Sequence, residues 1–295
     1  MKPETDTRKN VVAGQFYDND PNRLREDFAA YLQDAPATAL PDGCLVRALV
    51  VPHAGYAYSG GTATRAYAAA AKGSYKRVVL LAPSHYVGFA GLALPSYTHC
   101  ETPLGLVEID TAALAPLAKA APGLVGQNCR AHNLEHSLEV QLPLIKHFFP
   151  GTPLTPIVCG HLDRDMAAKA AAVLLPLWGE DSLWIVSSDF THYGTSFNFA
   201  PFDHDIPARL RELDLGAVDN ILAQDAKAFD RYIKCTGATI CGAVPILLAL
   251  EVAALANKAG EQPLEGALLE YVTSGAMTGD YSHCVSYAAV ALYRP

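Results

Sequence analysis

The sequence predicts a single α/β domain, running over 1–295, around a central sheet that is mostly parallel or mixed and carries helices on both faces. Short apolar runs rich in β-branched residues alternate with longer stretches of helical periodicity, the pattern of βα units. No repeat, low-complexity tract or Pro/Gly-rich linker divides the 295 residues, and that length suffices for one sizeable core.

In chain order, the polar stretch 1–10 is expected to be a flexible lead-in. A helix over 21–33 follows Asp20, a capping residue type, with Pro21 at the first helical position. Strands are expected at 46–51, 77–82 and 89–94, with a helix over 60–71 between the first two. A helix over 111–120 precedes one over 137–149, which Ser137 can cap; its apolar stripe is Leu138, Leu142, Ile145 and Phe149, and Pro143 should kink it. Next come a strand at 154–159, a helix over 164–177 and a strand at 183–188. Helices over 206–222, 226–234 and 241–258 lead to closing strands at 267–272 and 285–292.

Composition narrows the function. With 51% hydrophobic and 18% charged residues the chain is not disordered. Lys+Arg 22 against Asp+Glu 30 gives a net charge of −8 spread along the chain, so there is no basic footprint for a nucleic acid. The polar N-terminus and the lack of a long apolar run predict a cytoplasmic protein with no membrane partner. Seven cysteines without CxxC spacing argue against a disulfide framework or zinc knuckle.

Three strands pass straight from an apolar run into small residues and an imidazole: VRALVVPHAGY, RVVLLAPSHY and LWIVSSDFTHY. If these strands are parallel neighbours, His53, His85, Asp189 and His192 converge at the carboxyl edge of the sheet, where α/β folds bind ligands. A single such histidine reads as a satisfied loop residue; three in one context point to a site. In TGATICGAVPILLALE, Cys241 stands where a helix begins, so helix-end N–H groups are expected to favour its thiolate. Cys159 and Cys284 sit in or beside apolar strands and read as core. In AHNLEHSLEVQLP, Glu135 and His136 precede a helix, as hydrogen-bond partners, as a proton shuttle, or as a solvated helix start. The Gly-rich HAGYAYSGG matches no phosphate-loop pattern, and Gly55, Gly60 and Gly61 are read as letting the backbone turn beside His53. His99, His132, His147, His161, His204 and His283 read as surface or structural.

Two imidazoles and a thiolate suit iron, copper or zinc better than magnesium or calcium, and three protein ligands leave a position open for chemistry. The expected metal ligands are therefore His53, His85 and Cys241. His192, Asp189, His136 and Glu135 are the catalytic candidates.

The motifs PHAGYAYSG, APSHYVG, ETPLG, EHSLEVQLP, SSDFTHYG, TICGAVPI and the closing VSYAAVALY resemble the Memo family, whose prokaryotic members are called AmmeMemoRadiSam system protein B. The likeness runs from Val11 to the C-terminus. It implies a fold similar to class III extradiol dioxygenases, non-haem iron enzymes that open catechol rings, with a metal site in the corresponding cleft. It places the family's metal ligands on His53, His85 and Cys241, with Asp189, His192, Glu135 and His136 on its other cleft motifs. Extradiol enzymes carry a carboxylate where this chain has Cys241. The family's animal members are linked to signalling and to copper or iron handling, and the prokaryotic name implies an AMMECR-type protein and a radical SAM enzyme as partners.

Three functions follow as expectations. The first is an oxidoreductase of dioxygenase type using Fe(II) or copper, with zinc also compatible, on a small molecule such as an aromatic one. The second is a non-catalytic module that binds metal or a peptide in the cleft. The third is a metal-free hydrolase with Cys241 as nucleophile and a cleft histidine as base. Tyr56, Tyr58, Tyr86 and Tyr193 flank the site in sequence and could stack on a ligand.

Overall fold

Four strands of nearly unbroken apolar sequence form the centre of one large sheet, and the structure, a computed structural model describing residues 6–33 and 40–295, gives the reason for that lack of alternation. From the N-terminus the elements are β1 (Thr7–Arg8), α1 (Pro21–Gln33), β2 (Leu45–Val51), α2 (Tyr56–Ala70), β3 (Arg77–Pro83), β4 (Leu92–Leu94), β5 (His99–Cys100), β6 (Val107–Glu108), α3 (Thr111–Ala120), β7 (Val125–Gln127), α4 (Cys129–Asn133), α5 (His136–Glu139), α6 (Gln141–Phe148) and β8 (Leu154–Cys159). There follow α7 (Arg164–Leu174), β9 (Ser182–Ser187), β10 (His192–Gly194), α8 (Ile206–Leu222), α9 (Ala226–Thr236), α10 (Ala243–Lys258), β11 (Glu265–Thr273), α11 (Ser274–Thr278) and β12 (His283–Arg294).

The nine-stranded sheet has the order β10-β12-β2-β9-β3-β8-β4-β7, with β11 also paired to β12. Neighbours β2, β9, β3 and β8 are parallel. β12 runs antiparallel to β2, and β4 antiparallel to β8, so the sheet is mixed. Because the four parallel strands are covered on both faces, nearly every residue in them is buried and both faces must be apolar. α2 packs on β2 and β12 beside α1 and α6, and α10 packs on β3 and β9 beside α7 and α9. A contiguous buried core reaches from Val12 to Tyr293. Among the described residues no helix is long and apolar enough to cross a membrane.

The mixed α/β architecture and the principal elements agree with the sequence, and the differences have physical causes. The helix expected over 60–71 starts at Tyr56, so Gly60 lies inside α2 rather than in a turn beside His53. A Cβ there would stand 2.9 Å from the Tyr31 ring. The expected 137–149 helix is two helices that meet at Val140. Pro143 falls in the first turn of the second, where its missing N–H costs nothing. α10 begins at Ala243 rather than Cys241. The strand expected from 89 begins at Leu92. Of the stretch expected to be flexible, residues 1–5 lie outside the described residues. Thr7–Arg8 is instead a strand paired with β5, and Arg8 is buried.

Candidate metal centre

The parallel register delivers the site. β2 ends at Val51, β3 at Pro83 and β9 at Ser187, and the residues just beyond them are His53, His85 and Asp189. The start of α5 adds Glu135, its N-cap, and His136, its first residue. One ring nitrogen each of His53, His85 and His136 lies within 4.8 Å of the others, a set of donors able to hold a metal ion. The ring centroids of His85 and His136 are 4.5 Å apart, and those of His53 and His85 5.3 Å. Cys241, the third ligand expected from the sequence, is not a member of this set, in which His136 takes the third place; it stands against one member, with Sγ 3.2 Å from His53 Nε2.

Hydrogen-bond accounting fixes the tautomers. Ser187 Oγ has one proton, and it goes to the Ser137 carbonyl at 2.6 Å. Ser187 must therefore accept from both Gln141 Nε2 at 3.0 Å and His53 Nδ1 at 2.8 Å. His53 thus carries its proton on Nδ1 and keeps the Nε2 lone pair free for a metal or the Cys241 thiol. His85 Nδ1 donates to Glu135 Oε1 at 2.7 Å, while Glu135 Oε2 accepts the His85 backbone N–H, also at 2.7 Å. This is the carboxylate–imidazole arrangement that orients metal-binding histidines. Burial pushes the Glu135 carboxyl up, but the His85 donors outweigh it and hold the group below the usual carboxylate range. Burial, reinforced by neighbouring imidazoles, holds His53 well below the ordinary histidine value and lowers His136 to about 4. Both rings are neutral near pH 7, as ligands must be.

Asp189 is buried, and its Oδ1 accepts the backbone N–H of His53 at 2.7 Å and of Ala54 at 3.3 Å, so this carboxylate pins the loop that presents His53. Burial raises its pKa against the opposing pull of His192. His192, at the head of β10, donates from Nδ1 to the Thr239 carbonyl at 3.0 Å, which leaves Nε2 unprotonated in the neutral ring. His192 stands outside the imidazole triad.

The expectation of a stabilised Cys241 thiolate is corrected. The helix starts two residues later, and burial, with the Asp189 carboxylate adding to it, raises the thiol well above its ordinary value. What brings Cys241 here is Gly242, whose N–H donates to Ser188 Oγ at 3.1 Å; a Cβ on Gly242 would meet Ser188 Cβ at 2.3 Å. Of the four tyrosines, Tyr56 and Tyr193 are buried, the first donating to the Val140 carbonyl and the second stacked on Phe202. Tyr58 and Tyr86 are exposed, and Tyr86 Oη lies 3.1 Å from His136 Nδ1.

The supporting residues Ser187, Gln141, Thr239, Glu139 and Arg8 are absent from the sequence reading. Gln141 Nε2 also donates to the Pro52 carbonyl at 2.9 Å, and its Oε1 accepts from Tyr67 Oη at 3.0 Å. Glu139 accepts from the backbone N–H groups of Val11 and Val12, from Tyr17 Oη and from Arg8. Their signal was available: Glu139 and Gln141 are polar residues inside the apolar run LEVQLPLI, and a buried polar group requires a partner.

Comparison with known proteins agrees with this architecture. Residues 8–291 match the profile of the family described as Memo-like protein. A MEMO1 family protein of Methanopyrus kandleri is 32% identical, the alignment covering 97% of this chain and 99% of that protein. One from Methanothermobacter thermautotrophicus is 33% identical over 95% of this chain and 98% of its own length. A memo-1 homolog of Caenorhabditis elegans is 30% identical, with 97% and 83% covered. With three imidazoles clustered at the carboxyl edge of its parallel strands, and a family match that spans nearly its whole length, the chain belongs to the Memo family.

Proposed function

We propose that this Memo-family chain binds a transition metal, iron(II) or copper, at His53, His85 and Cys241, and uses it in oxidoreductase chemistry of dioxygenase type on a small molecule. The observation that carries this reading is the tautomer accounting: Ser187 and Glu135 bind the Nδ1 protons of His53 and His85 and leave both Nε2 lone pairs for one ion. When bound, such a metal supplies Lewis acidity and one-electron chemistry. Around it, Asp189 holds the His53 backbone N–H, and His192, its Nδ1 proton given to the Thr239 carbonyl, takes a proton at Nε2 and returns it.

The donors fit an ion better than they fit a thiol hydrolase. Cys241 and His53 form a neutral S–H to N pair, and the residue behind His53 is a hydroxyl, Ser187, rather than a carboxylate that would stabilise an imidazolium. Exposed Tyr58 and Tyr86 favour a ligand that offers an aromatic or peptide surface.

The test is metal analysis of protein purified anaerobically without a metal-binding tag, followed by O₂ uptake with catechols. Stoichiometric metal in the wild type and in His192→Ala, with loss in His53→Ala, His85→Ala and Cys241→Ala, is the expected result. Stoichiometric metal without turnover would favour a non-catalytic binding module acting with AMMECR-type and radical SAM partners. No metal, with selective labelling of Cys241, would overturn the metal reading.

A further inference from the structure

The imidazole triad contains a residue that the proposed ligand set leaves out. His136 shares the 4.8 Å cluster with His53 and His85, and its ring centroid lies 5.5 Å from that of His53 and 4.5 Å from that of His85. Its neighbour Glu135 already serves His85, so the N-cap and first residue of α5 supply both a ligand's carboxylate partner and a further imidazole. Resting on the metal reading above, we infer that His136 is a fourth protein donor to the same ion, closing its coordination sphere at rest, and that it is the donor an incoming small-molecule ligand displaces.

The anchoring of the three rings differs in a way that singles out His136. His53 is buried, and its Nδ1 proton is held by a hydroxyl whose own proton is committed elsewhere. His85 is tied by a 2.7 Å bond to a carboxylate. Among the described residues, His136 has only the hydroxyl of exposed Tyr86 at 3.1 Å, and its Nδ1 is 3.5 Å from Glu135 Oε1, too far for a strong bond. Tyr86 can either accept from Nδ1–H or donate to a bare Nδ1, so it does not lock one tautomer. His136 is satisfied in both states: as a ligand with Nδ1–H donating to Tyr86, and as a released ring that accepts the Tyr86 proton. The ring rests against Phe16 at 5.1 Å, on the side of the N-terminal loop.

This arrangement matters because four protein donors make a closed, storage-like centre and three make an open, reactive one. A displaceable fourth imidazole allows the same chain to hold its ion protected and open the site only when a ligand competes. A proton-shuttle role for His136, one of the roles the sequence left open, requires no metal contact.

Cobalt(II) added anaerobically to the metal-free full-length protein, with azide as the competing ligand, separates the two roles. The wild type should take up one cobalt and show the intense visible bands of four-coordinate cobalt. His136→Ala and His136→Gln should still bind cobalt, with the visible bands shifted as water replaces the imidazole, and should bind azide about tenfold more tightly, because no internal donor has to be expelled. Thermal midpoints within a few degrees of wild type verify the fold. Spectra and azide affinities equal to wild type in both variants would overturn the inference while leaving the metal reading intact. Complete loss of cobalt from folded variants would make His136 a fixed ligand and overturn the displacement. A wild type that takes up no cobalt would overturn the metal reading itself.

Discussion

Replacing Glu139 with Gln removes one charge from the interior and should be among the most costly single changes in the molecule. Glu139 is fully buried, and its two oxygens accept from Arg8 Nη1 at 2.7 Å, Val11 N at 2.7 and 2.9 Å, Val12 N at 2.8 Å and Tyr17 Oη at 3.0 Å. The Arg8 guanidinium is also buried and would remain charged, with only the carbonyls of Lys9, His132 and Glu135 as partners. Breaking a buried ion pair by removing one member costs about 3–5 kcal/mol. An amide at this position also turns an N–H₂ toward donors, which orphans at least one of them at about 1–3 kcal/mol. Against a total stability of about 5–15 kcal/mol, the variant should lose about a quarter or more. Arg8→Met should cost less, because Glu139 keeps three neutral donors. Urea unfolding of the metal-free wild type, both single variants and the double variant measures each cost and the coupling energy. A loss below about 1 kcal/mol for Glu139→Gln, or a larger loss for Arg8→Met, would refute the claim that this carboxylate holds the N-terminal segment against the site helix.

Other perturbations test other links. His132 is buried as a neutral ring that donates from Nε2 to the Ala93 carbonyl and accepts from Tyr97 Oη. Burial, the largest influence, lowers it to about 4. Because the unfolded ring protonates near pH 6.5, the native state should have its full stability from this group above that value and lose up to about 3 kcal/mol as pH falls from 6.5 to 4. In the pH dependence of unfolding, His132→Leu should show a shallower loss of stability than wild type between pH 6.5 and 4, the remainder coming from the other depressed histidines, His53 and His136. Glu135→Gln weakens the hold on His85 and should reduce metal affinity about 10–100-fold, read by competition with a chromophoric chelator. Gly242→Ala forces a methyl group against Ser188 and the Ser187 carbonyl, and should cost about 1–3 kcal/mol in thermal or urea unfolding, with a parallel loss of metal affinity as Cys241 moves away from His53.

The parallel core was legible because covering both faces of a strand imposes a continuous apolar run, and β2, β3, β8 and β9 each have one. The two-residue strands β1, β5 and β6 were not, since so short a pairing is selected by tertiary contacts rather than by its own sequence pattern. Arg8 illustrates this. In sequence it belongs to a polar lead-in, and only a carboxylate 131 residues away makes it a buried group. The start of α2 was misjudged for a related reason: Gly60 resembles a turn residue by type, and the helix needs it there because the Tyr31 ring of α1 crosses at that point.

At the site, His53 and His85 were legible because each follows the end of a parallel strand, whereas the third strand-end imidazole, His192, lies outside the triad and His136 enters it from the start of α5. Their roles were less so, because a role depends on which proton each partner can accept. The motif EHSLEVQ supplies the clearest instance. Glu135 orients His85, His136 joins the imidazole triad, Glu139 holds the N-terminal strand, and Gln141 donates to Ser187 and thereby obliges that hydroxyl to accept from His53. One seven-residue segment therefore connects the buried Arg8 to the tautomers of two metal-ligand candidates. Arg8 donates from Nε to the His132 carbonyl and from Nη2 to the Glu135 carbonyl, so the turn that presents Glu135 and His136 is braced by the same guanidinium that Glu139 neutralises. Fold stability and metal affinity should then fall together in variants of Arg8 and Glu139, whereas Ser187→Ala, which leaves that brace in place, should cost only the orphaned Ser137 carbonyl and Gln141 amide, about 1–3 kcal/mol, while lowering affinity by freeing the His53 tautomer.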